Sequence, residues 1–426
     1  MINPVSHFHG KSLLVLGMGL SGRSAASFLL SQGARVVAYD KDIESLKMNP
    51  SIQTLKNQGL EFFDPKSKDS LKEFSVIVSS PGIPLSSPIY QEALLSGVEI
   101  IGEIELAFRH ISTPCIGVTG TNGKTTVTLL IEHVLNKIGI EAKAVGNVGV
   151  PLTSMIGSQA EVLVVELSSY QLETMHSKIL DAAVLLNITP DHLERYGNME
   201  EYAEAKARIF ECVKPLGNLL ISEKCHHEWK GLFQKNKLFV FDRDKTVLNN
   251  FKDKSPHDIE NLLAAYHICL QWGVNEEQFM RAQESFVKPP HRIEFVRNVR
   301  GVNFIDDSKG TNIDAVIKAV ESINGPIILI AGGVDKGFSY SSWLKPFEGK
   351  VRLICVIGEA SNKMYDELSS SFPVERFLGL ETAVHFSMKN ASIGNTVLLS
   401  PGCSSYDMFT DYTHRGREFQ RIVNIL

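Results

Sequence analysis

Residues 116–126 read I-G-V-T-G-T-N-G-K-T-T and run directly into V-T-L-L-I-E-H-V-L-N-K, and no other stretch restricts the fold as much. An aliphatic run that breaks into a glycine loop, with apolar residues at helical spacing behind it, calls for a strand, a tight turn and a helix. Backbone amides around Gly120, Thr121, Asn122 and Gly123 would then converge on phosphate oxygens at the start of that helix. Lys124 would neutralise charge between the outer phosphates, and the hydroxyl of Thr125, followed by Thr126, would reach a magnesium ion. ATP is the expected ligand. The loop is a shortened form, because Val118 stands where G-x-x-x-x-G-K-[ST] has its first glycine.

A second glycine loop, Gly17-Met18-Gly19-Leu20-Ser21-Gly22, lies between aliphatic S-L-L-V-L and helix-like S-A-A-S-F-L-L, and Asp40 follows at the end of the next strand-like run. Alone, this is the fingerprint of a dinucleotide fold and of an NAD-dependent oxidoreductase. The phosphate loop begins too soon for two mononucleotide-binding halves, however. One half plus about one extra strand fits, which suits a single nucleotide such as a UDP group.

Short aliphatic runs alternate with amphipathic stretches along the whole chain, so the fold class is α/β with parallel sheets covered by helices. Three units are expected at 1–112, 113–288 and 289–426: a Rossmann-like domain, a P-loop ATPase domain and a second Rossmann-like domain. Strands are expected near Leu13 to Leu16, Arg35 to Tyr39 and Ser75 to Val78, with a less regular stretch from about Cys225 to Asp253. The prolines of K-P-P-H-R, Lys288 to Arg292, mark a linker. A chain of 426 residues exceeds what one core usually serves. Its net charge of -5 argues against nucleic acid or an anionic membrane as the main partner. Six cysteines lack C-x-x-C spacing, which fits a reducing cytoplasm and gives no zinc site. No apolar run reaches the roughly 20 residues of a membrane span, and M-I-N-P-V-S-H-F-H-G-K-S does not read as a secretory signal.

Further motifs follow the phosphate loop: G-N-V-G at 146–149, E-L-S-S-Y-Q-L-E at 166–173, N-I-T-P-D-H-L-E-R-Y at 187–196 and Y-A-E-A-K-A-R-I-F at 202–210. H-R-I-E at 291–294, D-S-K-G-T-N at 307–312 and S-P-G-C-S-S-Y-D at 400–407 continue the series. Together with G-T-N-G-K-T-T they resemble the superfamily of Mur ligases and folylpolyglutamate synthetases over essentially the whole chain. Within it, D-S-K-G-T-N resembles the D-glutamate-adding branch. That branch implies ATP, two magnesium ions, a UDP-N-acetylmuramoyl-L-alanine substrate and D-glutamate, in a cytoplasmic enzyme for which a monomer is expected. A folate polyglutamylating enzyme and the oxidoreductase are the competing readings.

The resemblance also assigns roles. It places Gly19, Leu20, Ser21, Asp40, Lys41, Gly82, Asn147 and His192 at the UDP substrate, and Asn261, Arg292 and Asp307 at ATP. Glu166 ends the apolar strand E-V-L-V-V-E, where its carboxylate can complete a magnesium shell begun by Thr125. His192 is implied near a second ion. Lys206 shares a helical face with Tyr202, Ile209, Phe210 and Val213. Burial there would lower a lysine pKa, and the resemblance implies that Lys206 is carbamylated and serves as a metal ligand. The two carboxylates of D-glutamate are assigned to Lys309, Thr311 and Lys336 on one side, and to Ser405 and the backbone near Tyr412 on the other. Two positions depart from the family pattern: Asp258 stands where asparagine is common, and Tyr412 where phenylalanine is. The chemistry implied is an acyl phosphate attacked by an amine, with a third domain closing to exclude water.

Overall fold

Three sheets account for the alternation in the sequence. The computed structural model describes residues 8–64, 70–233, 238–241, 251 and 254–426. The first sheet contains β1 (Ser12–Leu16), β2 (Arg35–Tyr39), β3 (Glu61–Phe62), β4 (Val76–Ser79) and β5 (Ile100–Gly102), all parallel, in the order β3-β2-β1-β4-β5. The second contains β6 (Cys115–Thr119), β7 (Ala142–Gly146), β8 (Val162–Glu166), β9 (Leu180–Leu185), β10 (Val213–Ile221) and β11 (Phe239–Val240), parallel in the order β11-β10-β9-β6-β8-β7. The third contains β12 (Glu294–Val299), β13 (Val302–Asp306), β14 (Ile327–Gly332), β15 (Val351–Ile357), β16 (Val374–Phe377) and β17 (Thr396–Leu399), in the order β12-β13-β17-β14-β15-β16. Every residue of β6, β8 and β14 is buried, which is why these strands read as continuous aliphatic runs.

The covering helices show the complementary period. Helix α1 (Leu20–Ser31) buries Gly22, Ala25, Ala26 and Leu29. Helix α2 (Lys124–Lys137) buries Val127, Leu130, Ile131, Val134 and Leu135. On the third sheet, α3 (Ile313–Ser322) buries Ile313, Val316, Ala319 and Val320, and the last helix is α4 (Tyr412–Asn424). Spacings of three and four put each set on one face.

The expected α/β architecture of three parallel-sheet units is borne out, with four corrections. The first sheet has five strands, more than one mononucleotide half plus one, because β3 and β5 are only two and three residues long and leave little pattern in the sequence. The third sheet is not wholly parallel: β12 pairs antiparallel with β13 across the Arg300-Gly301 turn, both of which have positive φ. The helix carrying Lys206 stops at Ala207 and gives way to a 3-10 turn at Arg208–Cys212, so Val213 begins β10 and does not continue the helix. Part of the irregular stretch is helical, at Glu223–Glu228, while 234–237, 242–250 and 252–253 lie outside the described residues, as does the start of the N-terminal segment, 1–7.

The chain divides into two compact units. The first comprises Met1–Asn187, Ala203–Phe251 and Glu260–Phe286, and the second comprises Ile188–Tyr202, Lys252–Ile259 and Val287–Leu426. Within the first, two buried glutamates of G-E-I-E tie the two sheets together: Thr153 donates its N–H and hydroxyl to Glu103 Oε1 at 2.6 and 2.7 Å, and His176 N and Ser177 N donate to Glu105 Oε2 at 2.9 and 3.0 Å. No helix among the described residues is long and apolar enough to cross a membrane.

Candidate functional site

In the first unit the phosphate loop is held open by residues around it. Gly120 has φ +153° and Gly123 +86°, and a Cβ on Gly123 would stand 2.3 Å from Asn261 Oδ1. Both positions therefore require glycine. Thr121 N donates to Asn187 O and Asn122 N to Asn187 Oδ1, each at 2.9 Å, while Asn187 Nδ2 donates back to Asn122 O at 3.2 Å. Asn187, the first residue of N-I-T-P-D-H, thus fixes the loop, a role that its motif in the sequence does not mark. Lys124 Nζ donates to Gly120 O and Thr121 O, both at 2.8 Å, and Thr125 and Thr126 are half-buried in the first turn of α2.

Glu166 ends β8 at the level of Val118 in β6. It is 1% exposed, and its Oε1 accepts from Asn147 Nδ2 at 2.7 Å. Its Oε2 is buried with no hydrogen-bond partner among the described residues. A buried, acceptor-only oxygen left in that state is costly, and a divalent cation is the partner it fits. Gly146 (φ +97°) lets β7 approach, since a Cβ there would lie 2.5 Å from Glu166 O. Lys206 is 1% exposed and donates from Nζ to Gly120 O at 2.8 Å, so the expected buried lysine lies against the phosphate loop.

At the N-terminal loop, Asp40 braces the turn, accepting from Met18 N at 2.7 Å through Oδ2 and from Asp42 N at 3.0 Å through Oδ1. Gly22 is needed for packing, because a Cβ there would meet Gly17 O at 1.8 Å. Gly19 differs: its φ is -63°, and nothing lies within 4 Å of where a Cβ would be. Neither conformation nor packing explains a glycine at the foot of α1, whereas close approach of a ligand phosphate would. Leu20, Ser21, Lys41 and Gly82 are partly or fully solvent-facing.

The remaining candidates lie in the second unit. His192 adopts φ +56° at the start of the short helix Leu193–Tyr196, and its N–H donates to Asp191 Oδ1 at 3.0 Å. Asp191 also accepts from Lys336 Nζ at 2.8 Å and Asn312 Nδ2 at 3.4 Å. Lys336, expected to receive a substrate carboxylate, is thus engaged by a protein carboxylate here. Arg292 sits between two residues of positive φ, His291 (+63°) and Ile293 (+51°), a strained turn that is unusual for a β-branched residue. His291 Nδ1 lies 2.6 Å from Asp306 Oδ2, and Gln420 Nε2 donates to Asp306 Oδ2 and Glu294 Oε2 at 2.9 and 3.2 Å. Asp307 is buried and pushed up to about 7 by that burial, against hydrogen bonds from Ser400 Oγ at 2.7 Å and Ile293 N at 3.3 Å.

Lys309 Nζ stands 4.3 Å from the centre of the Tyr412 ring, a cation–π contact. Ser405 is buried and Thr311 half-buried beside the start of α3. Asp258, one of the two departures, pairs with Lys288 at 2.7 Å. The candidates are therefore divided: Lys124, Glu166, Lys206, Asn147, Asn261 and the N-terminal loop belong to one unit, and His192, Arg292, Asp307, Lys309, Thr311, Lys336, Ser405 and Tyr412 to the other.

Three family models match the chain in succession: the MurD-like N-terminal domain of Mur ligases at residues 11–102, the Mur ligase middle domain at 118–268 and the Mur ligase glutamate ligase domain at 291–403. The UDP-N-acetylmuramoylalanine--D-glutamate ligase of Protochlamydia amoebophila (strain UWE25) is 47% identical over 443 residues, covering 99% of this chain and 100% of that protein. The ligase of the same name from Alkaliphilus metalliredigens (strain QYMF) is 35% identical, covering 98% of each. Among solved structures, the fold is similar to that of MurF ligase from Thermotoga maritima in complex with ADP, with a TM-score of 0.58 at 16% identity, over 99% of this chain and 97% of that one. UDP-N-acetylmuramate-alanine ligase MurC from Thermotoga maritima has a TM-score of 0.58 at 18% identity, over 98% and 100%.

Proposed function

The chain belongs to the Mur ligase family, and we propose that it is the ATP-dependent ligase of peptidoglycan synthesis that joins D-glutamate to UDP-N-acetylmuramoyl-L-alanine. The observation that carries this reading is the end-to-end match to D-glutamate ligases of a chain whose phosphate loop lies beside a buried, unpartnered carboxylate oxygen on Glu166. We take the enzyme to be a cytoplasmic monomer.

Several features support the assigned roles. The amides of the Gly120–Thr126 loop, held by Asn187, would receive the phosphates of ATP, and Lys124 would turn from its own loop carbonyls to the outer phosphates. Asn261, Arg292 and Asp307 complete the ATP set. Thr125, Glu166, His192 and a carbamylated Lys206 are the groups to hold two magnesium ions. A carbamate nitrogen keeps one N–H, so Lys206 can retain its bond to Gly120 O after modification. Bound magnesium would screen phosphate charge from the incoming carboxylate.

The alanyl carboxylate oxygen bonds to the γ-phosphorus as the bond to the bridging oxygen breaks and ADP leaves. The amine of D-glutamate then adds to the carbonyl carbon of the acyl phosphate and loses a proton, and inorganic phosphate departs with its bonding pair. Because acyl phosphates hydrolyse readily, exclusion of water matters at this stage. Gly19, Leu20, Ser21, Asp40, Lys41, Gly82 and Asn147 are the groups for the UDP-sugar. Incubation with ATP, UDP-N-acetylmuramoyl-L-alanine and hydroxylamine, without amino acid, tests the reading. The alanyl hydroxamate and ADP should form together; ADP release without hydroxamate contradicts the acyl phosphate.

A further inference from the structure

Arg415, on α4, is 1% exposed and makes no hydrogen bond to a carboxylate among the described residues. Its Nε donates to Ser308 Oγ at 3.0 Å, and its Nη2 to Ser308 O at 2.9 Å and Cys403 O at 3.2 Å. Its Nη1 reaches Cys403 O at 3.2 Å and Gly332 O at 3.5 Å. Every acceptor is neutral. Ser308 follows β13, Gly332 ends β14 and Cys403 follows β17, three strands that are neighbours in the sheet. The rigid guanidinium fork therefore joins three loops at the carboxyl ends of adjacent parallel strands, where α/β sheets place their ligands.

Those loops carry the amino-acid candidates: Lys309 and Thr311 on the first, Lys336 on the second and Ser405 on the third. They are also laced directly, with Gly402 N donating to Gly310 O at 2.8 Å and Val334 N to Ser404 O at 2.9 Å. Burying a cation among carbonyls is a costly way to gain stability alone, since an apolar side chain would fill the space more cheaply. Desolvation pushes the guanidinium down to about 10, so the charge persists at neutral pH.

We propose that Arg415 is a positioning residue for the amino-acid substrate, fixing the three loops so that Lys309, Lys336 and Ser405 meet the two carboxylates of D-glutamate together. This rests on the pocket assignment given above. Steady-state kinetics on the full-length enzyme test it with Arg415→Lys, which keeps the charge and loses the fork, and with the milder Ser308→Ala. The D-glutamate KM should rise about tenfold or more in Arg415→Lys, and less but in the same direction in Ser308→Ala, while the KM for ATP and the UDP-sugar stay within about twofold. Methylguanidinium should lower the D-glutamate KM of Arg415→Ala, and methylammonium should not. A uniform change in all three KM values, or an unchanged D-glutamate KM in Ser308→Ala if the Arg415 variants do not fold, overturns the proposal. Lys336→Ala and Lys309→Ala separate the two layers. If neither raises the D-glutamate KM, the pocket assignment fails; if both do while Arg415→Lys and Ser308→Ala do not, only the role of Arg415 fails.

Discussion

Asp307 shows how burial sets chemistry at a single residue. Its carboxyl is pushed up to about 7 by desolvation, against Ser400, the Ile293 amide and Arg292. The native state then keeps a proton that the unfolded chain has lost above about pH 4. The stability contributed by this group is fully present below that pH and is lost as pH rises through 7. Asp307→Asn cannot ionise and keeps one acceptor oxygen, for the Ile293 amide, while its amide nitrogen can donate to Ser400 Oγ. Thermal unfolding should show the wild type losing Tm from about pH 5 to about pH 8 more steeply than the variant, in the absence of nucleotide. Parallel slopes would show that the carboxyl does not titrate there. Lys206 gives a second residue-scale prediction: Lys206→Ala should lose most turnover, small carboxylates should restore part of it, and ¹³C-bicarbonate should give a carbamate NMR signal in the wild type alone. A wild type lacking that signal and a variant of near-normal turnover would end the carbamate assignment. Lys206 was legible because its neighbours in sequence are apolar. Arg415 was not, since α4 reads Y-T-H-R-G-R-E-F-Q-R and nothing local marks which arginine turns inward.

Among elements, the two glycine loops separate folding from binding. Gly22 is a packing glycine, and a Cβ there would overlap Gly17 O. Gly22→Ala should therefore lower Tm and weaken the UDP-sugar together. Gly19 has ordinary backbone angles and open space around its Cβ position. Gly19→Ala should leave Tm within about 1 °C, as expected of a surface change, yet raise the KM for the UDP-sugar severalfold. An unchanged KM would remove this loop from the substrate site. The central strands were legible because burial on both faces writes an unbroken aliphatic run. The short edges β3 and β5 were not, and the antiparallel β12 was not, because E-F-V-R-N-V is half-buried or exposed up to the buried Val299, as an edge strand is whatever its direction.

For the whole molecule, the candidate residues for ATP and metal are divided between the two compact units, with Glu166, Lys124 and Lys206 in one and His192, Arg292 and Asp307 in the other. The common role proposed for them was legible only through motifs matched as blocks, since nothing in local sequence links Glu166 to Asp307. The activity proposed for them is a single ligation with defined partners. The most direct measurement supplies ATP, magnesium and UDP-N-acetylmuramoyl-L-alanine and compares D-glutamate with L-glutamate, L-alanine and diaminopimelate, with the product identified by mass. One new amide should form, with D-glutamate, in step with ADP and phosphate. Equal use of L-glutamate, or ligation only when a folate replaces the UDP-sugar, would contradict this activity.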